Sequence, residues 1–297
     1  MDDTVQDGPA AAGPARAGGR GQLAAAVAVL IALLVVYLPT FAHAVDVWSR
    51  DEEFSFAFLV PPIALGLAWL RRDTIRRSLG AGSNLGLVIL AAGLLTLLAS
   101  ARSGVHVVAG ASFVVTALGV IAYLYGLRAM WASFYPVAFL AFGLCLYRGL
   151  LVSVGFDMQT LTAHASARAA ALVGVPVHRT GVDLFVGKFH FVVAQACSGM
   201  SSLLALLCLG TVMVGLARST RSRRLLMLLL VVPIVLVANI VRVTLVLTLS
   251  QVVGLAVVNS IIHGAFDAII FLIAFGLFFL AGKVLKCTPH IAAMASF

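Results

Sequence analysis

Residues 225–250 read LLMLLLVVPIVLVANIVRVTLVLTLS. The only charge in this run is Arg242 and the only amide side chain is Asn239. At about 1.5 Å of rise per residue, a helix of this length is long enough to cross the roughly 30 Å hydrocarbon core of a bilayer. In such a solvent every backbone group must be satisfied inside the segment, so the run reads as a transmembrane helix. Seven further apolar runs, at about 23–45, 54–70, 85–101, 105–126, 130–150, 198–217 and 262–282, bring the expected number of spans to eight. The whole chain has 297 residues, of which 62% are hydrophobic and 10% charged, and its mean hydropathy is +1.10. That leaves too little polar surface to cover a soluble core. The expected class is an all-α polytopic membrane protein with a single transmembrane domain, 23–282. Before it comes a tail, 1–22, rich in Ala, Gly and Pro and expected to be disordered in the cytoplasm. A short cytoplasmic tail, 283–297, follows it.

The net charge of +9 does not point to nucleic acid, because the basic clusters fall between apolar runs rather than in a domain of their own. They orient the chain instead. With the N-terminus in the cytoplasm, thirteen Lys and Arg lie on the inner side, including Arg71, Arg72, Arg76, Arg77, Arg221, Arg223 and Arg224, against six outside. The positive-inside rule therefore places both termini in the cytoplasm of a multi-pass protein of the cell (plasma or inner) membrane. The four cysteines, Cys145, Cys197, Cys208 and Cys287, form no C-x-x-C pair and have no zinc-like spacing with histidine. No metal or cofactor is expected.

Between the fifth and sixth spans lies an outer stretch, 151–197. Its first part, 152–173, mixes apolar and polar residues and reads as an amphipathic interfacial helix. Its second part, VDLFVGKFHFVV at 182–193, places β-branched and aromatic residues on both sides of Gly187–Lys188 and reads as a short β-hairpin. Earlier in the chain, RDEEFSFAFLVPPIALGLAWLRR at 50–72 joins an acidic, aromatic loop to Pro61–Pro62, a composition suited to a substrate access path.

Polar residues inside a membrane segment are functional candidates. Arg242 lies seventeen residues beyond Leu225, about 26 Å along a helix that starts on the inner side, and so sits toward the outer leaflet. Asn239, three residues earlier, shares its face. Cys197 stands at the outer start of the sixth span, followed by Ser198. His263 opens the eighth span, with Asp267 one turn deeper on the same face. Each has an ordinary structural reading when taken alone. The three nonetheless share one depth and one side on consecutive helices, which favours a common site. The chemistry is compatible: a helix N-terminus and a nearby cation both lower a thiol's pKa. Histidine can move protons at neutral pH, and arginine can stabilise an oxyanion. Ser198 and Ser202 lack the G-x-S-x-G context of a serine nucleophile.

The chain resembles the exosortase/archaeosortase family at these residues. Ala196-Cys197-Ser198-Gly199 is similar to its A-C-S-G element, Asn239-Ile240-Val241-Arg242 to its N-x-x-R element, and His263 to the histidine that opens its last span. RDEEFSFAFLVPPIALGLAWLRR, FYPVAFLAFGL and LVGVPVHRTGVDLFV extend the likeness over about 46–282. The resemblance implies a membrane-embedded cysteine protease/transpeptidase. Its substrates are exported proteins bearing a C-terminal motif, a transmembrane helix and a basic tail. Cys197 would be the nucleophile that forms a thioester, His263 the acid/base and Arg242 the oxyanion or substrate stabiliser. Asn239 would orient Arg242, and an acceptor would release the product. The role of Asp267 as a partner of His263 comes from spacing alone. The competing class is a transporter or channel with Arg242 and His263 on its path. That class predicts inverted repeats and midplane charges, and neither is visible in the sequence. A scaffold without chemistry would tolerate loss of Cys197.

Overall fold

A computed structural model describes residues 19–144, 148–193, 199–217, 219–253 and 263–287. The chain is mostly helical: α1 (Gly19–Arg50), a 3-10 helix (Glu52–Leu59), α2 (Val60–Leu70), α3 (Arg72–Ser78), α4 (Asn84–Ser103), α5 (His106–Tyr125), α6 (Leu127–Phe139), α7 (Arg148–Leu172), α8 (Met200–Leu216), α9 (Arg221–Val253) and α10 (His263–Val284). Three strands, β1 (His178–Thr180), β2 (Asp183–Val186) and β3 (Phe189–Val192), lie between α7 and α8. The chain forms two units, Met1–Pro39 and Thr40–Phe297, divided at the proline inside α1.

Five helical segments among the described residues are long and apolar enough to cross a membrane: Val27–Arg50, Glu53–Leu70, Asn84–Ser103, His106–Tyr125 and Arg221–Gln251. Three shorter apolar helices accompany them, Leu127–Phe142, Met200–Leu216 and Ala268–Val284. Their outward faces are as apolar as their packed ones. Leu87, Leu95 and Leu98 on α4, Leu229, Val237 and Val241 on α9, and Leu272 and Leu280 on α10 are all exposed. A helix that is hydrophobic all round and still exposed on one side is matched to lipid.

The second expected span begins as a 3-10 helix, capped by the Asp51 side chain accepting from the Glu53 amide, and becomes α-helical only at Val60. Pro61 and Pro62 suit that junction, since the first turn of an α-helix needs no amide donors. The fifth expected span, 130–150, is not one helix. α6 ends at Phe139, a short 3-10 turn follows over Leu140–Phe142, and α7 starts at Arg148. Residues 145–147, with Cys145, lie outside the described residues. The Trp48 indole donates to the Gly143 carbonyl (2.7 Å), which ties this break to the end of α1.

α7 also departs from the expected interfacial helix. It runs along α9 and buries Thr162, Ala163, Ser166 and Ala170 almost completely. Ala163 and Ala170 join a core cluster with Leu184, Val186 and Val193 of the sheet region and with Val243 and Leu247 of α9. Small residues permit that close approach of two helices. In the sheet, β1 pairs with β2 and β2 with β3, all antiparallel. The third strand, β1, is absent from the sequence reading. Both connections are two-residue turns whose first residue is a glycine at positive φ, Gly181 (65°) and Gly187 (57°). Glycine at that position fits the right-handed twist of the paired strands.

α4 and α5 form the closest helix pair. Gly104 (φ 69°) ends α4, and the buried Ser100 hydroxyl donates to the Val105 carbonyl (2.7 Å), closing a tight hairpin. Along the seam a Cβ on Gly93 would lie 2.8 Å from the Thr116 nitrogen, and one on Gly119 would lie 2.7 Å from the Leu90 Cα. Backbones this close leave room for hydrogen alone. Gly119→Val should therefore destabilise the protein by about 1–3 kcal/mol through overpacking. Gly276→Ala, whose Cβ would meet nothing within 4 Å, should be neutral or mildly stabilising. Denaturant titration of the two variants in detergent micelles checks the contrast.

Candidate functional site

α9 is the element around which the polar groups gather. Pro233 lies within it, and its 33 residues carry Asn239 and Arg242 one turn apart. Asn239 is only 3% exposed, and its Nδ2 donates to the Thr162 hydroxyl of α7 (3.4 Å). One turn further along α7, the Ser166 hydroxyl donates to the Ile240 carbonyl (3.3 Å). The Thr244 hydroxyl returns to that same carbonyl (2.7 Å). Hydroxyl-to-carbonyl bonds of this kind are how polar side chains are accommodated within a helix bundle. Nothing in the sequence of α7 marks Thr162 and Ser166 as partners of α9. Their common helix face, four residues apart, is the one available signal.

On the opposite side, Gly199 precedes α8 with φ at 83°. A Cβ on Gly199 would stand 3.1 Å from the Asn239 Cγ and 3.2 Å from its Cβ. Glycine is required there twice over, for the left-handed backbone and for the close approach to Asn239. Val193, on the other side of the 194–198 segment, donates its amide to the Val182 carbonyl (3.0 Å) and belongs to the cluster that contains Val243. Of the residues flanking the 194–198 segment, Gly199 thus packs on Asn239 of α9, and Val193 shares a buried cluster with Val243 and Leu247 of that helix. Cys197 and Ser198 themselves lie outside the described residues.

Asn239 and half-buried Arg242 line a small cavity with Ser202 of α8, Val235 and Ala238 of α9, and Ile270 and Ala274 of α10. Its volume of about 10 Å³ is near the lower limit for one water molecule. The three helices predicted to carry the site residues therefore meet at this point. Position 263 lies two helical turns before Ile270 and so falls on the same stripe of α10. The helix begins at His263, but the side chains of His263 and Asp267 are outside the description.

A second and larger cavity, of about 410 Å³, adjoins this region. Glu53, Ser55, Phe56, Leu59 and Ile63 form one wall, Ser201, Ser202, Ala205, Cys208 and Leu209 another, and Phe271 a third. Ser202 borders both cavities. Most of the lining is apolar; the buried Glu53 carboxylate is its one charged group, and three serines accompany it. From Ser201 to Leu209 the wall descends eight residues of α8, about 12 Å. Residues of the 50–72 motif thus line a hollow beside the first turns of α8. Cys208, also on this wall, is a free thiol buried among Phe139, Phe142 and Leu67.

The packing of Gly199 on Asn239 is open to a direct test. Gly199→Ala should cost about 1–2 kcal/mol from the left-handed backbone alone, with crowding added. Asn239→Ala removes the nearest opposing atom, so the double variant should be less destabilised than the sum of the singles, by about 0.5 kcal/mol or more. Unfolding measured on all four proteins of the cycle checks this.

The transmembrane exosortase family model matches residues 48–280, which includes both cavities and every candidate residue. No curated protein and no solved structure matches the chain. The family match covers well over half of the sequence, from Trp48 through most of α10, and on that ground the chain belongs to the transmembrane exosortase family.

Proposed function

We propose that this exosortase is a membrane-embedded cysteine transpeptidase in which Cys197 is the nucleophile, His263 the acid/base and Arg242 the oxyanion stabiliser. One observation supports the reading: of the residues that flank the Cys197 segment, Gly199 packs on Asn239 of α9 and Val193 shares a buried cluster with Val243 and Leu247 of the same helix. Asn239, held by Thr162 and backed by Gly199, is the positioning residue for the face that presents Arg242. Asp267, one turn beyond His263, and Ser198, next to the nucleophile, complete the candidate set.

In the proposed reaction His263 takes the proton of the Cys197 thiol, Sγ attacks the scissile carbonyl, and negative charge develops on the carbonyl oxygen beside the Arg242 guanidinium. His263 delivers a proton to the leaving amine as the C–N bond breaks. The products are a Cys197 thioester and a released tail fragment with a new amino terminus. An acceptor nucleophile then attacks the thioester, the C–S bond breaks and the thiol is regenerated. The substrates are exported proteins with a C-terminal motif, an apolar helix and a basic tail. The cavity beside α8 would take the segment around the cleaved bond, its serines and Glu53 facing polar groups and its apolar depth facing the start of the substrate helix. Binding that remote helix contributes to positioning at the reacting centre. Eight membrane spans, cytoplasmic termini and a site near the outer face complete the proposal.

Reporter fusions after Leu172 and after Arg221 should locate to opposite sides of the membrane; a common location would remove the outer-face assignment. Cys197→Ala should abolish cleavage while the protein remains inserted, and Cys208→Ser should retain it. Arg242→Lys keeps charge but loses the planar fork of donors, and should lower turnover by about 10²–10³-fold. His263→Ala should lower it by about 10²–10⁴-fold. Gel and mass analysis of a substrate that retains or loses its tail reads all four. Normal processing by Cys197→Ala would overturn the nucleophile assignment.

A further inference from the structure

At the opposite end of α8 from the candidate site, one arginine stacks on a tyrosine and a second closes the end of the helix. Arg71, the residue that closes α2, holds its guanidinium carbon 4.5 Å above the ring of Tyr135 on α6. Tyr135 is fixed in turn: its hydroxyl donates to the Thr211 carbonyl of α8 (2.6 Å), and Gly215 leaves the room that any Cβ there would take from the ring. Arg224, in the first turn of α9, donates through Nη2 to the Ala217 carbonyl (2.6 Å) and so closes the end of α8. Ala217 lies two residues beyond Gly215, which faces the Tyr135 ring.

Two half-buried guanidiniums therefore stand by the C-terminal end of α8, and among the described residues neither has a carboxylate partner. Like charges in a poorly solvated place are costly without a counter-charge. The shortage extends to individual atoms. Among the described residues the shielded Arg224 Nε has no acceptor, and the shielded Ser219 hydroxyl in the α8–α9 connection has no partner. The first amides of α9 add further donors with no acceptor inside their own helix. A positively charged cluster built from N–H and O–H groups matches the oxygens of a phosphate.

The surroundings indicate where that phosphate comes from. Trp69 is 67% exposed and stacks with Arg72 at 4.9 Å, and Leu225 is 59% exposed. Exposed tryptophan beside arginine at a helix end is typical of headgroup depth. We propose that Arg71, Arg224 and Ser219 bind the phosphate of an anionic phospholipid, whose chains lie along Trp69 and Leu225. This site does not depend on the peptidase reading. Basic pockets between spans are a recurrent form of lipid-headgroup recognition.

The test is thermal unfolding of the full chain in uncharged detergent at low salt, with dioleoylphosphatidylglycerol, dioleoylphosphatidylcholine or inorganic phosphate added. Phosphatidylglycerol should raise the midpoint by about 3–6 °C at saturation, with little effect from phosphatidylcholine. Arg224→Gln and Arg71→Gln should each remove most of that shift, whereas Arg223→Gln, an equal change of charge at an exposed position, should keep it. Ser219→Ala leaves the Arg224–Ala217 bond intact and should still reduce the shift, which keeps the test valid if Arg224→Gln fails to fold. An equal shift in wild type, Arg71→Gln and Ser219→Ala would overturn the site. An equal shift with inorganic phosphate alone would overturn the lipid as its occupant.

Discussion

Hydrocarbon offers no hydrogen-bonding partner, so a polar side chain midway along an apolar helix must be enclosed by other parts of the protein. Asn239 and Arg242 impose that requirement on α9, and much of the packing described above answers it. α7 supplies the Thr162 hydroxyl to Asn239 and buries Ser166 against the Ile240 carbonyl. α8 starts at a glycine because only a glycine lets its first turn reach Asn239. α10 contributes Ile270 and Ala274 to the same small cavity. The helices are therefore gathered by a polar constraint as well as by packing, and that constraint sits where exosortase chemistry is proposed.

The sheet serves the same arrangement. Leu184 and Val186 of β2, with Val193 just after β3, share a buried cluster with Val243 and Leu247 of α9. The Gln251 amide donates to the Val186 carbonyl (3.3 Å), joining β2 to the end of the same helix. The chain approaching the Cys197 segment is consequently held by a rigid element rather than by a long free loop. The nucleophile proposed in that segment would benefit from such support.

The two ends of α8 have opposite chemical character. Near its N-terminus lies a mostly apolar hollow with a single buried carboxylate, Glu53. Near its C-terminus lie Arg71 and Arg224, and there the Arg224 Nε and the Ser219 hydroxyl have no partner among the described residues. The glycines on α8 mark both ends: Gly199 admits Asn239 and Gly215 admits Tyr135.

Hydropathy and charge in the sequence alone determined the membrane class, the approximate helix boundaries and the candidacy of Arg242, because bilayer insertion depends on local composition summed over about twenty residues. The family likeness was legible for the same reason: its elements are short and lie in order along the chain. Tertiary structure decided what depends on residues far apart. The uninterrupted apolar pattern of 130–150 hid the break between α6 and α7, where the indole of Trp48 meets the carbonyl of Gly143. The mixed pattern of 152–173 looked like a helix on a membrane surface, yet Thr162 and Ser166 turn out to be buried against α9. Likewise, no local signal placed Glu53 beside α8 or Arg71 over Tyr135. Such contacts join residues more than sixty positions apart, and their energies come from the geometry of packed helices rather than from any preference readable within one segment.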